Sequence, residues 1–302
     1  MTSERADYVG RFAPSPTGPL HFGSLLAAAA CYLQARCQRG RWLLRIEDID
    51  PPREPPGADK LILEALEVYG FEWDGPVTYQ SQFTPHHKQL VTALVEAGQA
   101  YPCSCSRREL ADALRGPLGA IYPGTCRDGC TADDVAIRVR TTDEPIEFDD
   151  FLQGPQCQCL ESESGDFVIR RRDGLIAYHL AVVVDDYDQG ITEIVRGVDL
   201  LDSTERHIWL QRLLGFSTPS YVHIPVAMNA EGQKLSKLTG ASPIDTTQPS
   251  GTLFRALAAL GQDPPPDLEG ETPAAIWQWA LSHWSLAPLR GMTQIEAERF
   301  GY

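Results

Sequence analysis

Arg11-Phe12-Ala13-Pro14-Ser15-Pro16-Thr17-Gly18-Pro19-Leu20-His21-Phe22-Gly23-Ser24 is the stretch on which the fold turns. Tyr8 to Ala13 reads as a short buried strand, and the Pro/Gly run ends it. Leu25 to Arg39 is rich in Ala and Leu with a basic end, and Gly40 supplies a helix stop. Trp42 to Asp48 is a second strand that finishes on acidic residues. Strand, rigid loop, helix and strand in this order make a parallel crossover unit. The loop then lies at the carboxyl edge of the sheet, where open α/β sheets bind ligands. His21 and Gly23 sit at the helix mouth, where backbone N–H groups attract anions and glycine lets a phosphate approach. Far downstream, Lys234-Leu235-Ser236-Lys237 brings two lysines on a polar loop. A nucleoside triphosphate held between the two stretches could be attacked at its α-phosphate, with lysine neutralising the departing pyrophosphate.

The remaining pattern extends this core. Asp59 to Tyr69 and Pro85 to Gly98 predict helices, with His86 and His87 at the surface where the second begins. From Tyr101 to about Asp173 the chain changes to clustered cysteines, glycines, acidic loops and short strands such as Val135 to Arg140, as an insertion would. Ala177 to Asp185 reads as a buried strand, with Asp185, Asp186 and Asp188 at its end lining a cleft. Ile191 to Gly197 predicts another strand, and Ser203 to Leu214, Thr252 to Leu260 and Ala274 to Trp284 predict helices. The expected architecture is α/β. A Rossmann-type parallel sheet is shared by residues 1–100 and 176–240, an α+β insertion occupies 101–175, and a short helical region occupies 241–302.

The 302 residues carry 26 basic and 41 acidic side chains, a net charge of −15. That excludes a protein that coats nucleic acid by bulk charge, but leaves room for a local basic surface that docks one structured RNA. Arg138, Arg140, Arg170, Arg171 and Arg172 are candidates for such contacts. The polar N-terminus lacks a signal-peptide core, and the most apolar run, Leu25 to Leu33, falls short of the ~20 residues that span a bilayer. A cytoplasmic location without membrane attachment is expected. Eight cysteines in such a chain suggest core thiols or metal ligands. Cys31 and Cys37 fall on a predicted helix as packing residues. Cys103, Cys105, Cys126 and Cys130 cluster in a Gly-rich segment and favour a metal, with Tyr122 or Cys130 able to complete a set of four. Cys157 and Cys159 have no role that the sequence assigns.

These motifs resemble the catalytic body of the class I glutamyl-tRNA synthetases. His21-Phe22-Gly23-Ser24 looks like the HIGH signature and Lys234-Leu235-Ser236-Lys237 like KMSKS, with Leu235 a conservative change. The context is also glutamate-type: Arg11 to Gly18, Leu44 to Asp50, Tyr178 ahead of Ala181 to Asp186, and Val195-Arg196-Gly197-Val198-Asp199. The likeness runs from about residue 8 to 240. Residues 238–302 are too few for the family's large anticodon-reading region. A shortened branch of the family carries a Cys-x-Cys…Tyr-x-x-x-Cys element, matched here by Cys103, Cys105, Tyr122 and Cys126. Members of that branch activate glutamate without tRNA and attach it to queuosine in the anticodon of tRNA(Asp).

The resemblance implies a class I synthetase fold with an inserted zinc-bearing domain, and a set of roles. ATP would lie across Pro14 to Ser24 with Mg²⁺, contacted by His21, Gly23, Ser24, Lys234 and Lys237. His21 and Lys237 would carry the catalytic contacts. L-Glutamate would be bound by Arg11, Phe12, Ala13, Pro14, Ser15, Glu47, Tyr178 and Arg196. An anionic side chain calls for a guanidinium, a role for Arg11 or Arg196, while the substrate ammonium calls for an acceptor such as Glu47. One structural Zn²⁺ would be held by Cys103, Cys105, Tyr122 and Cys126. The expected partner is queuosine-bearing tRNA(Asp), and the expected state a monomer. The competing readings are an enzyme that charges a tRNA 3′ end and an adenylate-binding module without catalysis.

Overall fold

The computed structural model describes residues 7–302 apart from 107, 112, 117, 118, 237 and 238. Strand β1 (Val9–Phe12), helix α1 (Phe22–Cys37) and strand β2 (Arg41–Ile46) form the expected crossover, with β1 and β2 parallel and Val9 opposite Arg41. All four residues of β1 are buried, as a strand covered on both faces requires. Helix α2 (Ala58–Val68) leads to β3 (Thr78–Tyr79), which extends the sheet in the order β1-β2-β3. Helix α3 (Thr84–Glu96) begins one residue before Pro85, whose missing N–H is harmless in a first turn.

Strand β4 (Ala100–Cys103) opens the cysteine-bearing stretch, followed by the small hairpin of β5 (Arg115–Gly116) and β6 (Gly119–Ala120). Strand β7 (Ala136–Val139) pairs antiparallel with β4, and β8 (Pro145–Asp150) pairs antiparallel with β9 (Gly154–Cys159). A one-turn helix, α4 (Leu160–Glu163), and β10 (Val168–Arg170) follow, giving a sheet ordered β10-β7-β4.

The Ala177 to Asp185 run is a helix, not the expected strand: α5 spans Tyr178–Asp188. Its Leu180 to Asp186 are all buried. A short apolar run does not distinguish a buried strand from a buried helix, and packing on every side overrides the β preference of three successive valines. Asp185 and Asp186 therefore do not line the cleft; they point from a helix into the interior.

Strand β11 (Glu193–Gly197), helix α6 (Thr204–Leu214) and β12 (Ser220–Ile224) make a second parallel crossover, and β8 and β9 continue that sheet as β11-β12-β8-β9. The two sheets meet at β1 and β11, where the Thr192 N–H donates to the Val9 carbonyl and the Val9 N–H to the Thr192 hydroxyl, each at 2.9 Å. Strand β13 (Val226–Met228) precedes the lysine loop.

The C-terminal region holds α7 (Pro249–Ala259) and α8 (Pro273–His283), but it is not purely helical. Strand β14 (Gln294–Glu296) pairs in parallel with β13. Its helices cover the face of α1 turned away from the sheets, which is why α1 is apolar nearly all round. Trp277 of α8 packs edge-on to Tyr32 at 5.0 Å and against Phe71 at 4.9 Å, and its indole N–H reaches the Tyr69 carbonyl at 2.8 Å. Tyr302 stacks on Phe22 at 4.1 Å between ring centres and donates to Thr252. Among the described residues no helix is long and apolar enough to cross a membrane.

Candidate active site

The carboxyl ends of β1, β2 and β11 open on a cleft of about 670 Å³. Arg11 to Ser15, His21, Gly23, Ser24, Glu47, Tyr178, Arg196, Lys234 and Ser236 line it. Every glutamate-site residue expected from the sequence thus borders one cavity, as do the expected ATP contacts among the described residues. Lys237 lies outside the described residues.

The loop after β1 is tied down before it meets any ligand: the Glu47 N–H donates to the Pro14 carbonyl at 3.0 Å. His21 caps α1 through Nδ1, which accepts the Ser24 N–H at 3.3 Å. In the neutral ring the proton then sits on Nε2. Gly23 makes room for this ring, since a Cβ there would come within 3.2 Å of it. The helix mouth therefore presents imidazole, backbone N–H groups and no acidic side chain in the first turn, an arrangement suited to phosphate. Leu235 is buried and anchors the lysine loop through its N–H to the Ala227 carbonyl at 2.8 Å. Lys234 reaches across to Asp199 at 2.5 Å. A Cβ on Gly197 would meet that aspartate at 2.5 Å, so glycine is what lets Asp199 fold back.

Two buried arginines, Arg11 and Arg196, face the cleft, and each is 5 % exposed. Arg11 makes a two-point contact with Asp186 of α5, at 3.0 and 3.2 Å. Asp186 also takes Arg45 at 2.7 Å, and Arg45 reaches Glu47 at 3.3 Å. Burial works against the ionised Asp186 carboxylate, but Arg11 and Arg45 outweigh it and hold it below the usual range. Burial raises Glu47, with Arg45 and Arg11 opposing. Behind this group Asp185 accepts from Gln80 at 2.7 Å and lies 2.7 Å from His87 Nε2. His87 is fully buried rather than on the surface, whereas His86 stays half-exposed near Asp188.

Arg196 is held differently. Its Nε donates to His223 Nε2 at 2.9 Å, Nη1 meets His207 Nδ1 at 3.1 Å, and Nη2 donates to the Thr204 hydroxyl at 2.9 Å and the Leu200 carbonyl at 3.2 Å. Among the described residues no carboxylate pairs with it directly. Tyr178, the first residue of α5, stands beside it; burial pushes its hydroxyl up to about 12, despite Arg196, so it remains a donor. Sequence reading found Arg196 and Tyr178 but missed His179, His207, His223 and Asp150, which lie far apart along the chain without a shared local pattern.

The cysteine cluster lies apart from this cleft. The thiols of Cys103, Cys105 and Cys126 sit within 4.8 Å of one another. The Tyr122 hydroxyl is 3.4 Å from Cys103 Sγ and 3.5 Å from Cys105 Sγ, and the Cys126 N–H donates to it at 2.8 Å. Cys130 is not part of the cluster, so of the two candidates for a fourth member the fold gathers Tyr122. Burial raises the Cys126 thiol, but hydrogen bonds from Tyr122, the Ser104 backbone and the neighbouring thiols overcome it and bring it down to about 6. Three convergent thiols are donors that zinc prefers, and the phenol oxygen, an unusual ligand, would bring the set to the tetrahedral number of four. Arg138 donates to Cys103 Sγ at 3.3 Å and covers the Tyr122 ring, and Arg140 binds the Gly98 and Arg127 carbonyls. Both therefore turn to the protein. Arg170 reaches the Val135 carbonyl, Arg171 pairs with Asp50 and Asp173, and Arg172 reaches the Ser104 carbonyl. Cys31 is buried as expected, but Cys37 and Cys157 are exposed.

Comparison with known proteins agrees with this geometry. Residues 8–258 match the family described as tRNA synthetases class I (E and Q), catalytic domain. A protein named glutamyl-Q tRNA(Asp) synthetase from Pseudomonas fluorescens is 53 % identical over 286 residues, covering 94 % of both chains. Another of that name, from Aromatoleum aromaticum, is 51 % identical and covers 96 % of this chain and 93 % of its own. The chain belongs to the glutamyl-Q tRNA(Asp) synthetase family. As a member it is a ligase of the class I aminoacyl-tRNA synthetase type. The crystal structure of a glutamate tRNA ligase from Elizabethkingia meningosepticum in complex with its amino acid matches with a TM-score of 0.78 at 25 % identity. That match takes in 98 % of this chain and 68 % of the larger one.

Proposed function

We propose that this chain activates L-glutamate with ATP in the absence of tRNA and then transfers it to queuosine in the anticodon of tRNA(Asp). The observation that carries the reading is the single cleft that gathers the Arg11 to Ser15 loop, His21, Glu47, Tyr178, Arg196 and Lys234. In the proposed reaction the α-carboxylate of glutamate attacks the α-phosphate of ATP. A P–O bond forms to the carboxylate, the bond to the pyrophosphate breaks, and glutamyl-adenylate results. A hydroxyl of the queuosine ring then attacks the acyl carbon, its proton is lost, and AMP departs.

Each side chain has a place in that sequence. Arg196 and the Tyr178 hydroxyl bind the substrate's side-chain carboxylate, and Arg11 closes the opposite wall. Glu47 accepts from the substrate ammonium, whose charge favours the ionised form that burial resists. His21 donates through Nε2 to the phosphates at the mouth of α1. Lys234 and Lys237 neutralise the charge that moves onto pyrophosphate. Magnesium accompanies ATP as part of the substrate. Cys103, Cys105, Tyr122 and Cys126 hold one zinc ion, whose contribution is to fix the fold of that segment.

The test has two stages. Glutamate-dependent exchange between ATP and pyrophosphate should proceed with no RNA present. Labelled glutamate should then pass to queuosine-containing tRNA(Asp), and mild periodate oxidation of the queuosine diol should abolish the transfer. Equal labelling of queuosine-free tRNA, or labelling of a tRNA 3′ end, would reject the acceptor and favour an ordinary charging enzyme. For the metal, protein purified without added zinc should contain one ion per chain. Cys126→Ser should lose it and Cys130→Ser should keep it; the opposite result would reject Tyr122 as a ligand.

A further inference from the structure

Behind Arg196 lies a buried chain of polar groups, Asp150–His223–Arg196–His207–His179, drawn from β8, β12, β11, α6 and α5. Asp150 Oδ2 is 2.7 Å from His223 Nδ1, so that nitrogen carries the proton and Nε2 is left to accept from Arg196 Nε. On the other side His207 Nδ1 accepts from Arg196 Nη1, and its Nε2 lies 3.1 Å from His179 Nδ1. An arginine cannot accept, so each assignment fixes the next. His207 must carry its proton on Nε2, and His179 on its own Nε2. All three rings are neutral in this arrangement. The environment enforces it: burial lowers His207 well below the ordinary range, and the positive charge of Arg196 adds to that. Burial also lowers His223, with Asp150 opposing and Arg196 assisting.

The consequence is electrostatic. The cation of Arg11 is met by a carboxylate at two points, whereas the cation of Arg196 meets only neutral groups. His207 is 1 % exposed and His223 fully buried, so no water shell screens the guanidinium from behind. These contacts use four of its five N–H groups. One N–H of Nη1 remains, and Arg196 lines the cleft.

We propose that His207 and His223 are positioning residues that hold Arg196 rigidly without neutralising it, and so make the pocket select a carboxylate side chain over the corresponding amide. The proposal rests on the reading that the cleft activates glutamate, and it concerns how that substrate is told from glutamine. A guanidinium can donate to either side chain, so hydrogen bonding alone discriminates weakly. An unpaired buried cation discriminates strongly, because only the carboxylate cancels it. Had a carboxylate occupied the place of His207, Arg196 would be internally paired, as Arg11 is. An incoming anion would then gain little.

The test compares kcat/KM for glutamate with that for glutamine in ATP–pyrophosphate exchange, using the full chain. His207→Gln offers a neutral acceptor again and should keep the wild-type ratio within about threefold. His207→Glu puts a carboxylate on Arg196 and should lower the ratio about 100-fold, through loss of glutamate rather than of ATP. Thr204→Asp brings a carboxylate to Nη2 by a separate route and should lower the ratio in the same direction, which keeps the test intact if the first variant does not fold. An unchanged ratio in a folded His207→Glu or Thr204→Asp protein would overturn the proposal. So would a loss in His207→Gln as deep as in His207→Glu, which would mark His207 as a packing residue. Exchange that is absent from the wild-type protein would instead strike the functional reading, and this inference with it.

Discussion

The two walls of the cleft carry the same side chain for opposite electrostatic ends. On the β1 wall Arg11 is locked to Asp186 and shares it with Arg45, and Glu47 closes the group. On the β11 wall Arg196 is gripped as firmly but by histidines, a hydroxyl and a carbonyl. The first wall is a neutralised buried network, and networks of that kind serve shape: they hold the loop after β1 and the end of β2 to α5. The second wall is a preorganised cation. Burial alone does not reveal this difference, because both arginines are equally covered; only the partners do.

The sharpest test of that contrast is Arg196→Ala. Losing the unpaired cation should cost about 2–4 kcal/mol toward glutamate, roughly 30- to 1,000-fold in kcat/KM, with little change in the KM for ATP. Arg11→Ala should do less to glutamate, about tenfold, and more to the fold. It strips one of two cations from Asp186, and breaking a buried pair costs about 3 kcal/mol, a fall of roughly 6–10 °C in the thermal midpoint. If the two variants changed places, weak binding in Arg11→Ala and instability in Arg196→Ala, the assignment of the walls would be reversed.

The pH dependence separates them further. His179, His207 and His223 all have folded pKa values below the unfolded one, His179 at about 3. Such a base binds its proton more readily in the unfolded chain. Its contribution to stability is therefore complete above pH ~6.5 and is lost as the pH falls below that value. Asp186 is also lowered, but its contribution fades only as the pH drops through the carboxylate range. Stability should thus decline between pH 7 and 5 by up to about 1.4 kcal/mol per pH unit for each histidine, before Asp186 is touched. Proton uptake on unfolding, followed by calorimetry in buffers of different ionisation enthalpy, measures it. A flat profile down to pH 5 would show that the histidine chain does not stay neutral.

The smallest effect belongs to Lys234→Ala. Lys234 is 46 % exposed, and its pair with Asp199 should contribute less than ~1 kcal/mol to stability. The KM for glutamate should stay within about twofold, while the exchange rate falls. A glutamate defect as large as that of Arg196→Ala would mean that the summed field of the cleft, and not one cation, holds the substrate.

Much of this was legible in the sequence wherever local chemistry is unambiguous. The Pro/Gly loop between two apolar runs can do little except turn a strand into a helix, and β1, α1 and β2 follow. Arg11, Glu47, Tyr178, Arg196 and His21 could be named because their motifs are contiguous. Legibility ended where tertiary packing chooses between equal local options. Val182-Val183-Val184 suits a strand as well as a buried helix, and it became a helix because both its faces are covered. His86 and His87 are neighbours in sequence, yet one helical step turns His87 into the core beside Asp185. Tyr122 and Cys130 were equivalent by spacing, and only the path of the loop distinguishes them. The chain from Asp150 to His179 is assembled from separate elements, so no window of sequence contains it.

The stacking of Tyr302 on Phe22 has a consequence for how the protein comes to exist. Phe22 is the first residue of α1, the helix whose mouth faces the cleft, and its ring is covered by the distant Tyr302. Strand β14 likewise completes β13 just ahead of the lysine loop. Contacts between residues this far apart in sequence form late and slow folding, because a long loop must close before they repay its entropy. A nascent chain emerging from the ribosome can assemble its early crossover, but it cannot seal the start of α1 until Tyr302 is free. The mouth of α1 should therefore close only after Tyr302 has emerged, and a pulse-labelled nascent chain halted before residue 290 should remain protease-sensitive at α1.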